Sequence, residues 1–202
     1  MPSILLVGIL LAAGKSSRFS AANSPRGSQK LLAELPNYGG KLVIEVSAAN
    51  LLHAVGRVIA VTHRDEKLLR VLDDCGCQVV VNDHAHEGMG TSIAAGVNAS
   101  LDADGWIIAL GDMPYVEAGT IRVVYEALTT KNQIVVPAYR GRRGHPVGFG
   151  RQYGESLRLL QGDVGAKSII DKAARVCPEN LLQIDVSDAG LVKDIDVPSD
   201  IE

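Results

Sequence analysis

The feature that most constrains this chain is a series of short, continuously apolar runs, rich in Val and Ile, alternating with longer stretches of helical periodicity. The runs are Ile4–Ala13, Arg57–Thr62, Gln78–Asn82, Trp106–Leu110, Ile134–Ala138 and Leu181–Asp185. A strand half-exposed to water alternates apolar and polar residues, whereas one covered on both faces does not. Between the runs the pattern predicts helices over Lys41–Ala54, Asp65–Asp74, Thr91–Leu101, Ala118–Thr129, Arg151–Leu160 and Ala166–Ala174. In Thr91–Leu101 the apolar Ile93, Val97 and Leu101 recur at one-turn spacing, so one face of that helix should pack on the sheet. The expected fold is α/β: a doubly wound, mostly parallel, Rossmann-like sheet with helices on both faces.

At 202 residues, 47% of them hydrophobic, the chain suits a single domain over 1–202 with a sizeable core. A formal net charge of −3 gives no basic footprint for nucleic acid or a membrane surface, and neither is expected as a partner. The apolar start, MPSILLVGILLAAGK, lacks the basic leader of a secretory signal and is too short to span a bilayer, so it is read as a buried first strand. Cys75, Cys77 and Cys177 are odd in number without metal-ligand spacing, which fits incidental thiols in a reducing cytoplasm.

In doubly wound sheets, ligands bind beyond the carboxyl ends of the strands, so the strand exits carry the functional reading. The first exit, Leu11-Ala12-Ala13-Gly14-Lys15-Ser16-Ser17-Arg18, is a small-residue turn with two cations. Its backbone N–H groups suit an anion, and Arg18 offers a planar fork to phosphate. The spacing is neither G-x-G-x-x-G nor G-x-x-x-x-G-K-[ST], so neither a dinucleotide fingerprint nor a P-loop is present. A basic surface turn would have the same composition.

The second exit, Gly111-Asp112-Met113-Pro114, puts a carboxylate after a buried run, where it can bridge a hard cation to substrate phosphates or simply cap a turn. Near the C-terminus, Asp194-Ile195-Asp196 alternates two carboxylates onto one face of an extended segment; they form either a second metal contact or a solvated acidic tail. Gly88-Met89-Gly90-Thr91-Ser92 opens a helix, with Thr91 or Ser92 able to cap it or touch a ligand. His145 and Pro146, in G-H-P-V-G, follow the basic turn Arg140–Arg143. Asp163, in G-D-V-G-A, precedes another helix. His145 is either a substrate contact or a structural histidine, and Asp163 either a ligand contact or a plain cap.

Taken in order, LAAGKSSRF, Lys30, EGMGTS, GDMP, GHPVGF, GDVGA and DIDVPSD resemble the MobA-like nucleotidyltransferase family, and within it the molybdenum cofactor cytidylyltransferases. The likeness spans Leu11 to Asp200. It implies an Mg2+-dependent enzyme that transfers CMP from CTP to the phosphate of molybdopterin, or of the molybdenum cofactor, and releases pyrophosphate. A molybdoenzyme or its chaperone would be a further partner.

By this resemblance Leu11, Ala12, Ala13, Gly14, Lys15, Ser16, Arg18, Lys30, Gly88, Ser92 and Asp112 bind the nucleotide. Lys30, Arg18 and Asp112 act in catalysis, and Asp112 and Asp196 hold the metal. His145, Pro146 and Asp163 meet the acceptor. Ala13, where guanylyl-transferring members carry Gly, favours CTP. The chain departs from the pattern twice: the Arg18–Lys30 interval is longer than usual, and Lys167 stands where Arg is usual after G-D-x-G-A. Two alternatives stay open: transfer to a sugar phosphate or another small phosphate, and a nicotinamide-dependent oxidoreductase on the same sheet. The first turn's missing second and third glycines weigh against the latter.

Overall fold

The computed structural model of the chain describes residues 4–14 and 30–201. Among the described residues, ten strands and six α-helices follow one another as β1 (Leu6–Leu11), β2 (Glu34–Leu35), β3 (Lys41–Leu42), α1 (Val43–Val55), β4 (Val58–Thr62), α2 (Glu66–Asp74), β5 (Gln78–Val81), α3 (Met89–Asn98), β6 (Gly105–Leu110), α4 (Ala118–Ala127), β7 (Ile134–Tyr139), β8 (Arg142–Arg143), β9 (Val147–Gly150), α5 (Gly154–Arg158), α6 (Lys167–Val176) and β10 (Leu181–Asp185). The main sheet runs β10-β7-β9-β6-β1-β4-β5, with β8 hydrogen-bonded to β7. Its pairs β1–β4, β1–β6, β4–β5 and β7–β10 are parallel. The antiparallel members are β8 and β9, the latter wedged between β6 and β7.

The continuous apolar runs are explained by two cores, one on each face. Along β1, Leu6 and Leu10 join one cluster while Val7 and Ile9 join the other; β4 divides Val58 and Ala60 from Ile59 and Val61 in the same way. Helices α1, α2 and α4 cover the first face through Ile44, Leu51, Leu68, Leu72, Ile121 and Val124. Helices α3, α5 and α6 cover the second through Ile93, Val97, Leu157, Ile169 and Ala173. The doubly wound, mostly parallel expectation is met.

Several local readings differ. Val147–Gly150 is a strand that the apolar runs did not include. Val147 and Phe149 face one core, and on the other face a Cβ on Gly148 would lie 3.3 Å from Val124 Cγ1, so Gly148 lets α4 approach. The first residues of the predicted Lys41–Ala54 helix form β3, and α1 starts at Val43, its first turn braced by Glu45 Oε2 accepting the Leu42 N–H at 2.6 Å. The predicted Arg151–Leu160 helix is a 3-10 turn followed by the short α5. Asp65 caps α2 by accepting the Lys67 and Leu68 N–H groups, both at 3.0 Å. Burial pushes the Cys77 thiol up to about 12 and raises that of Cys75, so neither is a thiolate nucleophile near neutral pH. Among the described residues no helix is long and apolar enough to cross a membrane.

Candidate active site

Leu11 of β1 lies level with Leu110 of β6 in the parallel ladder, so the Ala12-Ala13-Gly14 and Gly111-Asp112 exits leave the same edge side by side. The Gly111 N–H donates to the Leu11 carbonyl at 2.9 Å, and the Ala12 N–H to that of Val61 at 2.8 Å. Two motifs separated by a hundred residues therefore share one rim. Lys15, Ser16 and Arg18 lie outside the described residues.

Lys30 enters this rim from the start of the next described segment. Its Nζ donates to Asp112 Oδ2 at 2.7 Å and lies 3.4 Å from Asp196 Oδ1. Only 12% of the lysine side chain is exposed, against 25% for Asp112 and 38% for Asp196. Asp196 is delivered by the segment after β10. The Ile195 N–H donates to the Asp112 carbonyl at 2.9 Å, and Asp200 Oδ2 accepts the Asp196 and Val197 N–H groups, both at 2.8 Å. Asp194 is exposed and does not share the cluster's rim contacts with Lys30, so only one residue of the expected acidic pair faces the site.

Two cavities meet here. The first, about 260 Å³, is lined by Leu11, Ala13, Gly14, Lys30, Asp112 and the Gly88–Ser92 turn, with Asp163 on its wall. The second, about 290 Å³, lies across the β9 side, with Ile93, Val136 and Phe149 as floor and Arg143, His145 and Lys167 as polar lining. Leu11 and Met89 line both. The structure thus gathers Leu11, Ala13, Gly14, Lys30, Gly88, Ser92 and Asp112 in one cleft, with Ala12 buried directly behind it. It sets one of the three residues expected around the acceptor apart from the other two. Asp163 lines the first cavity, whereas His145 and Pro146 share a small void beside Ser47 and Asn50, and His145 also borders the second cavity.

His145 precedes β9, its N–H donating to the Leu191 carbonyl at 3.4 Å. Its Nδ1 is buried without a hydrogen-bond partner among the described residues. Burial holds the imidazole below its ordinary value, while the Ile108 backbone and the Asp112 charge pull weakly the other way. The ring is therefore neutral near pH 7.

Asp163 does not cap α6, which begins at Lys167 behind Ala166. The loop of Asp163 is instead fastened to the start of α3, where the Gly90 N–H donates to the Gly162 carbonyl at 2.9 Å. A Cβ on Gly88 would run into Gly162 and Asp163, and one on Gly90 would lie 2.7 Å from the Val164 carbonyl oxygen. Neither Thr91 nor Ser92 caps α3. Asn82 Nδ2 donates to Thr91 Oγ1 at 3.0 Å and to Ser92 Oγ at 3.1 Å, tying the end of β5 to that turn. Asn82 and Met89 carry no spacing signal; their part in the site emerges only when β5 and α3 are placed together.

A doubly wound sheet with a small-residue turn, a lysine and a carboxylate pair at its carboxyl edge is an arrangement suited to a nucleotidyltransferase. The chain belongs to the MobA-like NTP transferase domain family, whose model matches residues 8–176. Over its whole length the chain is 26% identical to the purine catabolism protein PucB of Bacillus subtilis, 97% of which is covered. Among solved structures it is similar to a nucleotidyl transferase from Methanothermobacter thermautotroptrophicus, with a TM-score of 0.80 and 26% identity over 98% of this chain and 94% of that one. It is also similar to a Mycobacterium tuberculosis protein solved in complex with manganese, with a TM-score of 0.70 and 25% identity over 97% of this chain and 95% of that one.

Proposed function

We propose that the protein transfers CMP from CTP to the phosphate of molybdopterin, or of the molybdenum cofactor, in a divalent-metal-dependent reaction. The observation that carries this reading is the Lys30–Asp112–Asp196 cluster at the mouth of the first cleft, with a second cavity opening beside it. The backbone around Ala13 and Gly14 would receive the triphosphate, together with Lys15, Ser16 and Arg18. A cation already sits between the Asp112 and Asp196 carboxylates, so the pair fits a hard divalent ion, and the manganese-bound relative supports this. A bound Mg2+ would spread the negative charge that develops across the phosphates.

In the proposed step, an oxygen of the acceptor's phosphate bonds to the α-phosphorus of CTP. The bond from that phosphorus to the oxygen bridging it to the β-phosphate breaks, and pyrophosphate leaves with the electron pair. A phosphate monoester is anionic near neutral pH and attacks without a general base, so the protein's part is in-line positioning and charge stabilisation. Lys30 stands where it can follow charge building on the α-phosphate. The second cavity supports a heteroaromatic acceptor over a sugar phosphate: Ile93, Ile108, Val136 and Phe149 offer a ring an apolar seat, with Arg143 and Lys167 at hand for an anion. CTP over GTP rests on Ala13, whose methyl lines the cleft.

The test is pyrophosphate release with CTP and molybdenum cofactor, run beside GTP and beside sugar phosphates. Release with CTP and the cofactor alone is expected. Release with a sugar phosphate in place of the cofactor would reject the acceptor, and equal rates with GTP would reject the base.

A further inference from the structure

We infer that Lys30 is the resident counter-cation of the Asp112–Asp196 pair, and that a bridging divalent metal takes its place only when the triphosphate draws the lysine away. The inference rests on the reading of Asp112 and Asp196 as metal carboxylates. It adds an order of assembly and a positioning role for Lys30 before any chemistry.

Three observations carry it. The ammonium lies between the two carboxylates, 2.7 Å from one and 3.4 Å from the other, which is the position a metal bridging both would need. Its side chain is 12% exposed, against 25% for Asp112 and 38% for Asp196, so the ammonium fills the inner side of the pair and a metal in that position must replace it rather than add to it. Finally, among the described residues no group of three or more His, Cys, Asp or Glu could hold a metal. The two carboxylates therefore supply a minority of the six oxygens that Mg2+ takes, and phosphates and water must supply the rest.

The nucleotide-free site thus disfavours the metal twice: it offers few ligands, and one of its two negative charges is already balanced by Lys30. A triphosphate reverses both conditions. Its oxygens complete the metal's shell, and its charge gives the Lys30 ammonium a new partner on the side facing the first cleft. Metal and nucleotide then enter as one unit, and the lysine is handed from carboxylate to phosphate.

The experiment measures Mn2+ binding to the full chain by water-proton relaxation enhancement, first without nucleotide and then with CTP but no acceptor. Lys30→Met keeps the apolar stem and removes the charge. It should bind nucleotide-free Mn2+ about tenfold or more tightly than the parent, because one competing charge is gone. Adding Asp112→Asn to Lys30→Met should abolish the gain. In EDTA the Lys30→Met protein should melt below the parent and recover on adding Mn2+; Lys30→Gln serves in the same way if the Met variant folds poorly. Equal nucleotide-free affinities in parent and variant, with CTP still raising Mn2+ binding through Asp112, would overturn the place-holder role and leave the metal reading standing. Absence of Mn2+ binding in every protein, with and without CTP, would overturn both.

Discussion

Single side chains here act through charge and through one methyl. Asp112 sits at a strand exit, 25% exposed, with little core packing, so Asp112→Asn should leave the fold intact. If it holds the metal, kcat should fall by about a hundredfold or more, since charge stabilisation at a metal is worth several kcal/mol. Unchanged turnover at saturating Mg2+ beside an unaltered circular dichroism spectrum would remove Asp112 from that role. On the proposed reading Ala13 would act by bulk: a methyl at a pocket wall changes discrimination by about 1–3 kcal/mol, so Ala13→Gly should narrow the CTP-to-GTP ratio of kcat/KM by about tenfold or more. His145 acts through its environment. Burial holds its pKa below the ordinary value near 6.5, so the unfolded chain takes up a proton there at a pH where the folded protein does not. Stability should therefore fall as the pH drops below about 6.5, with no penalty above it. A plot of Tm against pH should flatten in that range for His145→Gln; parallel curves for parent and variant would show that other groups set the slope.

At the scale of elements, the start of α3 and the Gly162–Val164 loop act as one wall, because glycine backbone meets backbone there. Gly90→Ala would push a methyl to 2.7 Å from the Val164 carbonyl, and overpacking of this kind costs about 1–3 kcal/mol. The expected reading is a Tm lower by several degrees together with a raised KM for the nucleoside triphosphate, since the wall lines the first cleft; a lowered Tm with unchanged KM would reduce the contact to packing. This wall also shows what the sequence could and could not disclose. The runs that became β1, β4 and β6 were legible because burial on both faces leaves an uninterrupted apolar signature. Strand β9 was not, because Gly148 and Gly150 meet the demands of close neighbours and hide the alternation of Val147 and Phe149. Lys30, Asp112 and Asp196 could be named from motifs, yet their convergence depends on the Leu11–Leu110 register and the Ile195–Asp112 hydrogen bond, which no local pattern encodes. The same holds for Asp163, which local pattern left as either a ligand contact or a helix cap, and which is placed by a long-range contact with Gly88.

At the scale of the whole molecule, the chain after β10 returns across the carboxyl ends of the strands and fastens both cavities to one strap. Asp188 anchors it by accepting the Glu117 N–H at 2.9 Å and the Gly190 N–H at 2.7 Å. Leu191, fully buried, presses on Gly144 so closely that a Cβ there would overlap it, and its carbonyl receives the His145 N–H. Farther along, Ile195 fixes Asp112 and places Asp196 beside Lys30. Leu191→Ala should therefore do two separable things. It opens a cavity and should lower stability by about 2–5 kcal/mol, as a buried leucine elsewhere would. It should also loosen Asp196 and His145 together, raising KM for both substrates. Leu68→Ala is the control: Leu68 is equally buried but belongs to α2, beside β4 and away from both cavities. Comparable losses of Tm in the two variants, with KM raised only by Leu191→Ala, would establish the strap as the part that assembles the site. If both variants shift KM alike, the effect belongs to global stability and the strap has no special part in it.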